Sequence, residues 1–358
     1  MRLPTCAWGI DVGAFVGNAY GYSLANRRLY TSSVDCGLID PNSNIVVWFC
    51  HPDLFEPVEG KVNVLFTMYE NRPLGESFVK MMNRADALIV PSQWCADLFR
   101  EHSTLPIYVV PLGVDTNAYV GVKRPRPKNR PFRWLWVGAD NIRKGWVSVG
   151  ECWRRYFLTR WDTELYLKTT TTKKDIADAL FMERPVCAIG GKGAVQQMGP
   201  NITFDCRNVS ELEMLKIYAA ADAFIFPTMG EGFGLTLLEA MATALPCLTV
   251  LQTGVTEFAS RSTCFGIRYD EVPVQIDWPG RPDLSHTAIG YRADLHDMAR
   301  QMGWMMNHWH KITQTGLRAY RRARQFTWDE SAQKLGRVLE TIAKEDRPTA
   351  AEGRVISC

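Results

Sequence analysis

The residues whose types and spacing point most directly to chemistry lie between Asp222 and Ala244, in the run DAFIFPTMGEGFGLTLLEAMATA. An apolar strand ends at Pro227. A turn follows with Gly230, Glu231, Gly232, Phe233 and Gly234, and a helix begins at Leu235. Free amides and the helix dipole at such a start both favour an anion, and the glycines let a ligand approach the backbone. Glu231 in the turn and Glu239 in the helix are eight residues apart, a helical rise of about 12 Å. That separation excludes a close acid–base pair. It suits two carboxylates gripping hydroxyls at the two ends of an extended ligand whose diphosphate lies near the helix start. A sugar–diphosphate–ribose has this shape. An ordinary strand–loop–helix unit with solvated acids has the same spacing.

The elements that must hold these residues alternate in type. Ile45 to Cys50, Val62 to Met68, Ala87 to Val90 and Tyr108 to Val110 are short apolar runs that predict buried strands. Trp134 to Val137, Glu164 to Leu167, Ala223 to Phe226 and Cys247 to Leu251 repeat the pattern. Stretches with helical spacing intervene, among them Leu74 to Ala85, Val209 to Ala221 and Leu235 to Ala244. Strands buried along their whole length and alternating with helices predict an α/β protein with parallel sheets. Residues 122–133, VKRPRPKNRPFR, combine prolines with repelling cations and predict an extended, solvated linker between two α/β domains.

Length and composition agree with that division. The 358 residues correspond to about two domains. With 46% apolar and 22% charged residues, the chain is neither a disordered polymer nor a minimal disulfide scaffold. Its 41 Lys and Arg against 38 Asp and Glu leave a net charge of +3, so only local basic clusters could mark an anionic partner. The N-terminus lacks the pattern of a signal peptide, and no apolar run approaches membrane-spanning length. The expected compartment is the cytoplasm, with peripheral attachment to a membrane or to DNA left open. None of the 10 cysteines forms a Cys-x-x-Cys pair, and His308 and His310, two apart, do not share a helix face. No metal site is expected.

EGFGLTLLE, Glu231 to Glu239, resembles the Glu-x7-Glu motif of retaining glycosyltransferases with the GT-B fold, in particular glycosyltransferase family 4, the group 1 glycosyl transferases. Further similarity runs in the family's order: Ala85-Asp86 through Pro91-Ser92, Pro111 to Asp115, Val137-Gly138 through Lys144-Gly145, Gly254 to Glu257, and Phe326-Thr327-Trp328. The resemblance covers most of the chain. It implies two facing Rossmann-like domains with parallel sheets and a donor in the cleft between them. The boundaries expected are 1–122 for the N-terminal acceptor-side domain, 123–131 for the linker and 132–325 for the nucleotide-sugar domain. A helix over 326–345 would cross back to the first domain, and 346–358 would form a tail.

The resemblance also implies roles. Glu231 would meet the donor sugar's hydroxyls and Glu239 the ribose. The backbone at Gly232, Phe233, Gly234 and Leu235 would face the sugar and phosphate, and Lys144 would bind the diphosphate. Relatives usually have an arginine soon after the first strand of this domain, where this chain has Gly138-Ala139, and Arg143 is the substitute. Two cations opposite a developing diphosphate charge would stabilise the leaving group without metal. In the first domain, the run from Gly13 to Gly21, with Gly17 at its centre, resembles the family's glycine loop. The family's sugar-contacting histidine has no direct counterpart: Tyr69 stands in its place after Thr67-Met68, Glu70 follows, and His51 is the nearest histidine. His51, Tyr69 and Glu70 all remain candidates. No cofactor is implied beyond a nucleotide-sugar substrate, with a UDP-sugar the first guess.

The acceptor is not legible. A glycan or glycolipid is one reading and a hydroxylated base in DNA another. The clusters Lys123 to Arg133 and Arg318 to Arg324 could neutralise phosphates of DNA or of anionic lipid, or simply be solvated. A nucleotide-sugar-binding protein without turnover, a GT-B phosphorylase and an epimerase are the competing classes. The stretch Cys264 to Tyr291, with Trp278-Pro279-Gly280, is a hairpin or lid, or a long surface excursion.

Overall fold

The computed structural model describes residues 5–9, 20–122, 125–127, 129–139, 141–169, 195–199, 201–277 and 285–344. The glycine loop Gly13 to Gly21, Gly17 included, falls almost wholly outside them. The chain forms two compact units. One comprises Met1–Gly113, Val274–Ala288 and Phe326–Cys358, the other Val114–Pro273 and Ile289–Gln325.

The first unit carries a five-stranded parallel sheet in which spatial order equals chain order: β1 (Ala7–Trp8), β2 (Ile45–Phe49), β3 (Val62–Phe66), β4 (Ala87–Val90) and β5 (Ile107–Val109). Parallel neighbours need crossovers, and α1 (Tyr20–Asp35), α2 (Glu76–Met82) and α3 (Gln93–Arg100) lie in three of them. Val46, Leu65, Leu88, Phe78 and Phe99 centre the core. In α3, Cys95, Ala96, Leu98 and Phe99 are buried, and Ser92 caps the helix by accepting from the Cys95 amide at 3.2 Å.

The second unit holds a seven-stranded sheet: β6 (Phe132–Val137), β7 (Thr163–Lys168), β8 (Val195–Gly199), β9 (Ile202–Asp205), β10 (Ala223–Phe226), β11 (Cys247–Thr249) and β12 (Phe265–Gly266). Its spatial order is β12-β11-β10-β6-β7-β9-β8. From β6 the chain builds outward through β7 and β9, then returns to β6's other side and builds outward again through β10, β11 and β12. This is the doubly wound dinucleotide-binding order, and its switch point lies between β6 and β10. Only β8 runs antiparallel. Two residues separate Gly199 from Ile202, too few for a parallel crossover. Among the described residues its α-helices are α4 (Trp146–Tyr156), α5 (Glu211–Ala220), α6 (Leu235–Ala242), α7 (Leu295–Asn307) and α8 (Trp309–Ala323). Trp134, Trp136, Trp153, Phe204 and Ile225 are buried at the core.

The basic segment before β6 is partly fastened. Arg130 donates to both oxygens of Asp222 at 2.6 and 2.8 Å, and Asp222 is 1% exposed. Strand β13 (Tyr269–Ile276) pairs with β14 (His286–Ala293) as the two arms of a hairpin. The last helix, α9 (Trp328–Lys344), buries Trp328, Leu335, Leu339 and Ile342, one apolar stripe at helical spacing. It packs on α1 in the first unit. Ser331 Oγ donates to Pro111 O at 2.6 Å, and Gly113 fits under the helix start, where a Cβ would stand 2.3 Å from the Trp328 amide. Among the described residues no helix is long and apolar enough to cross a membrane.

Candidate functional site

The strongest cluster lies at the switch point of the second unit, where the chain leaves β6 and β10. After β6, a one-turn 3-10 helix (Ile142–Lys144) is capped by Asn141, whose side chain accepts from the Arg143 amide at 2.9 Å. Gly145 then turns the chain into α4 at φ +75°, and a Cβ there would stand 2.0 Å from Pro227 O. Only glycine permits both the conformation and the approach. Trp136 Nε1 donates to Lys144 O at 3.1 Å, tying the turn to its own strand.

The exit of β10 is stitched to this turn. The Met229 amide donates to Arg143 O at 2.7 Å, and Thr228 Oγ1 lies 3.2 Å from the same oxygen. A third turn arrives after β11: the Glu231 amide donates to Thr253 Oγ1 at 2.9 Å, and the Gly254 amide donates to Glu231 O at 2.7 Å. Thr253 holds φ +62°, and a Cβ at Gly254 would stand 2.0 Å from Gly232 O. The loop after β11 thus holds the Glu231 backbone at both its amide and its carbonyl, while the turn after β6 holds the neighbouring Met229.

The side chains then converge. Lys144 Nζ donates to both Glu231 oxygens at 2.7 and 2.9 Å. Arg143 donates to Gly230 O at 2.5 Å, and its guanidinium lies 3.2 Å from Glu231 Oε1. Thr228 Oγ1 is 3.1 Å from the same carboxylate oxygen. Glu231 is 4% exposed. Burial alone would push its carboxyl up; Lys144, Arg143 and the hydrogen bonds outweigh that and hold it below the ordinary value. Removing charges from water is costly, and a hydrophobic cluster would stabilise the fold as well. Two cations and a carboxylate at the sheet's carboxyl edge therefore suit recognition of a charged, hydroxylated ligand better than they suit stability alone.

The other residues of the second unit expected to meet a donor occupy the same loop and helix. Phe233 is buried against Phe258, with ring centroids 5.1 Å apart. Gly234 reaches φ +98° and precedes Leu235, the first residue of α6. Glu239 is half-buried and its Oε2 accepts from Tyr218 Oη at 2.9 Å. Tyr218 is fully buried, edge-on to Tyr119 at 6.0 Å, so the ring orienting Glu239 is itself held. Sequence reasoning missed Thr228, Thr253 and Tyr218, common residue types whose role depends on which loop faces them. Among the described residues no cluster of three His, Cys, Asp or Glu could hold a metal ion.

His51, Tyr69 and Glu70 lie in the first unit. His51 caps the 3-10 turn Pro52–Leu54, with Nδ1 2.5 Å from Asp53 Oδ1, and meets the edge of the Phe78 ring at 5.3 Å. Tyr69, 8% exposed, meets Phe78 at 4.7 Å. Its hydroxyl shares a 3.0 Å hydrogen bond with Nε2 of His286, from the hairpin residues that belong to this unit. Gly75 makes room for that imidazole: a Cβ there would stand 2.8 Å from its Nδ1. Two candidates, His51 and Tyr69, thus converge on Phe78, while half-buried Glu70 is their neighbour by sequence. No sequence signal pointed to His286. Of the stretch after Cys264, Phe265–Gly266 is strand β12 and the described residues from Tyr269 onward contain the paired strands β13 and β14, whereas Trp278-Pro279-Gly280 lies outside the described residues.

Residues 175–268 match the family model of glycosyl transferases group 1. The chain is 24% identical over 289 residues to an MMP alpha-(1->4)-mannosyltransferase of Mycolicibacterium hassiacum, covering 78% of this chain and 59% of that protein. It therefore spans about three fifths of that relative's length. Among solved structures, the sucrose-phosphate synthase of Thermosynechococcus elongatus aligns at TM-score 0.61 and 15% identity, covering 93% of this chain and 82% of that one. HepE of Anabaena, in complex with UDP and glucose, aligns at TM-score 0.63 and 14% identity, covering 90% and 83%. These likenesses are of fold: α/β with two Rossmann-like domains on parallel sheets, the GT-B fold of glycosyltransferases.

Proposed function

We propose that the protein is a retaining glycosyltransferase that moves a hexosyl or pentosyl group from a nucleotide-diphosphate sugar to an acceptor hydroxyl. The observation that carries this reading is the convergence of Arg143, Lys144 and Glu231 at the β6/β10 switch point. The match to group 1 glycosyl transferases and the similarity to a mannosyltransferase support it. The neighbour holding UDP and glucose supports a UDP-hexose as the first donor to try.

Arg143 and Lys144 bind the donor diphosphate, and Glu231, released from Lys144, accepts hydrogen bonds from the sugar hydroxyls. Glu239, oriented by Tyr218, accepts from the ribose. The bond between the anomeric carbon and the diphosphate oxygen breaks as the two cations take up the charge of the leaving group. They supply the positive field that a divalent ion supplies in other nucleotide-sugar enzymes. The acceptor oxygen bonds to the anomeric carbon on the face the diphosphate leaves, and its proton passes to a diphosphate oxygen. The configuration is thereby retained without a protein nucleophile. The acceptor is a glycan, a glycolipid or a hydroxylated base in DNA.

Thermal stabilisation by UDP, GDP, ADP and CMP, each with EDTA, tests the donor site. A nucleotide at a hundred times its dissociation constant stabilises the native state by about 2.7 kcal/mol. One nucleotide should stabilise the protein, and Lys144→Ala should abolish the effect. Stabilisation by none, even with magnesium restored, would overturn the reading. Binding without transfer to any acceptor tried, DNA and lipid-linked glycans included, would favour a nucleotide-sugar-binding protein.

A further inference from the structure

Away from the switch point, Arg261, Gly266, Arg268, Asp297, Arg300 and Gln301 line a cavity of about 360 Å³. It lies at the β12 edge of the second unit's sheet. Strand β11 separates that edge from β10, so the two places are about 10 Å apart in strand spacings alone. Nothing in the donor reading uses these residues.

The cavity is built around a buried acid. Asp297 is 1% exposed and accepts from the Arg268 amide at 2.8 Å and from Arg300 Nε and Nη2 at 3.2 and 2.6 Å. Arg268 Nε lies 3.5 Å from the same carboxylate. Asp297 therefore fixes the Arg300 guanidinium and attracts that of exposed Arg268, yet a single carboxylate cannot engage the five N–H donors that each carries. Arg261 belongs to the same lining. Among the described residues none hydrogen-bonds or ion-pairs with the Arg261 guanidinium.

Three guanidiniums thus face one carboxylate in the lining. Asp294, 3.7 Å from Arg268, offsets one further charge and still leaves a surplus. All three arginines are exposed, so water screens much of their mutual repulsion, and an anion entering the recess would relieve what remains. Guanidinium forks match tetrahedral oxyanions through paired hydrogen bonds.

We propose that this cavity is a second anion site that takes a phosphoryl group, a phosphate monoester or diphosphate, separately from the donor. A soluble phosphorylated compound and a lipid phosphate headgroup present the same oxyanion. Binding of inorganic phosphate and of pyrophosphate would be measured by calorimetry at fixed ionic strength, with chloride as reference. The chain carrying Lys144→Met serves as the background, so that the donor site does not report.

Binding should persist in that background and weaken about tenfold when Arg261→Gln is added, the loss of one charge-assisted contact. Arg261 supports no other described group, so its loss should leave the melting temperature unchanged. Flotation with vesicles of phosphatidylcholine containing phosphatidic acid separates the sources: Arg261-dependent capture assigns a headgroup, and its absence beside retained phosphate binding assigns a soluble ligand. Phosphate binding no stronger than chloride binding, or equal affinity with and without Arg261→Gln, would overturn the proposal.

Discussion

Tyr69 and His286, 217 positions apart in the chain, share one hydrogen bond of 3.0 Å and stack at an interplanar angle of 28°. The pair fastens the distal part of the β13–β14 hairpin to the loop that follows β3. Tyr69→Phe keeps the ring against Phe78 and removes only the hydroxyl, so it should cost about 1 kcal/mol in urea denaturation. His286→Ala also loses the packing over Gly75 and should cost more. In the double variant the hydroxyl's contribution should vanish, which a double-mutant cycle reads directly. Additive losses would show that the two side chains do not act as a pair.

Acid should weaken the switch-point cluster in a defined window. Desolvation raises the Glu231 carboxyl, but Lys144 and Arg143 bring it below its ordinary value of 4.5. A carboxyl depressed in the folded state stabilises it above the unfolded-state value and loses that contribution as pH falls through the folded-state value. The stability gap between the wild type and Glu231→Gln should therefore be flat above pH 4.5 and narrow below it. At neutral pH the substitution leaves two cations without their carboxylate, and a loss of about 3 kcal/mol is expected. Denaturant titrations across pH 3 to 7 would check both; a gap that widened in acid would contradict the assignment.

Gly145 and Gly60 offer a matched comparison. Their φ angles are +75° and +73°, but a Cβ at Gly145 would strike Pro227 O at 2.0 Å, whereas nothing lies within 4 Å of one at Gly60. Gly60→Ala should cost only the left-handed conformation, about 1 kcal/mol. Gly145→Ala should cost clearly more and should remove nucleotide stabilisation, because the turn presenting Lys144 must move. Equal losses at the two positions would mean that the close approach is not needed.

The strand cores were readable because parallel strands buried on both faces are continuous apolar runs: Ala87–Val90 and Ala223–Phe226 match their expected limits. Strand β1, two residues long, and the polar helix α1 carry no such signal. The turn at Glu231 was legible from its glycines, and Arg143 and Lys144 from a resemblance. Their meeting, across 87 positions, depends on β6 and β10 being neighbours, which no local pattern encodes. Tyr218 and His286 act through partners that only the folded chain brings near. In the basic linker Pro125, Arg126, Asn129 and Arg130 are exposed, as its charge suggested, and what the sequence did not signal is the ion pair of Arg130 with buried Asp222.

The packing of α9 on α1 has a consequence for biosynthesis. The five strands of the first unit lie in the order in which a ribosome releases them, so each can add to the one before as it emerges. The helix that packs on α1 is specified by residues 328–344, after the whole second unit has been translated. Throughout that interval the nascent first unit keeps an apolar seam uncovered, open to self-association or to a chaperone. The last helix is thus the step that ends the vulnerability of the first unit during synthesis.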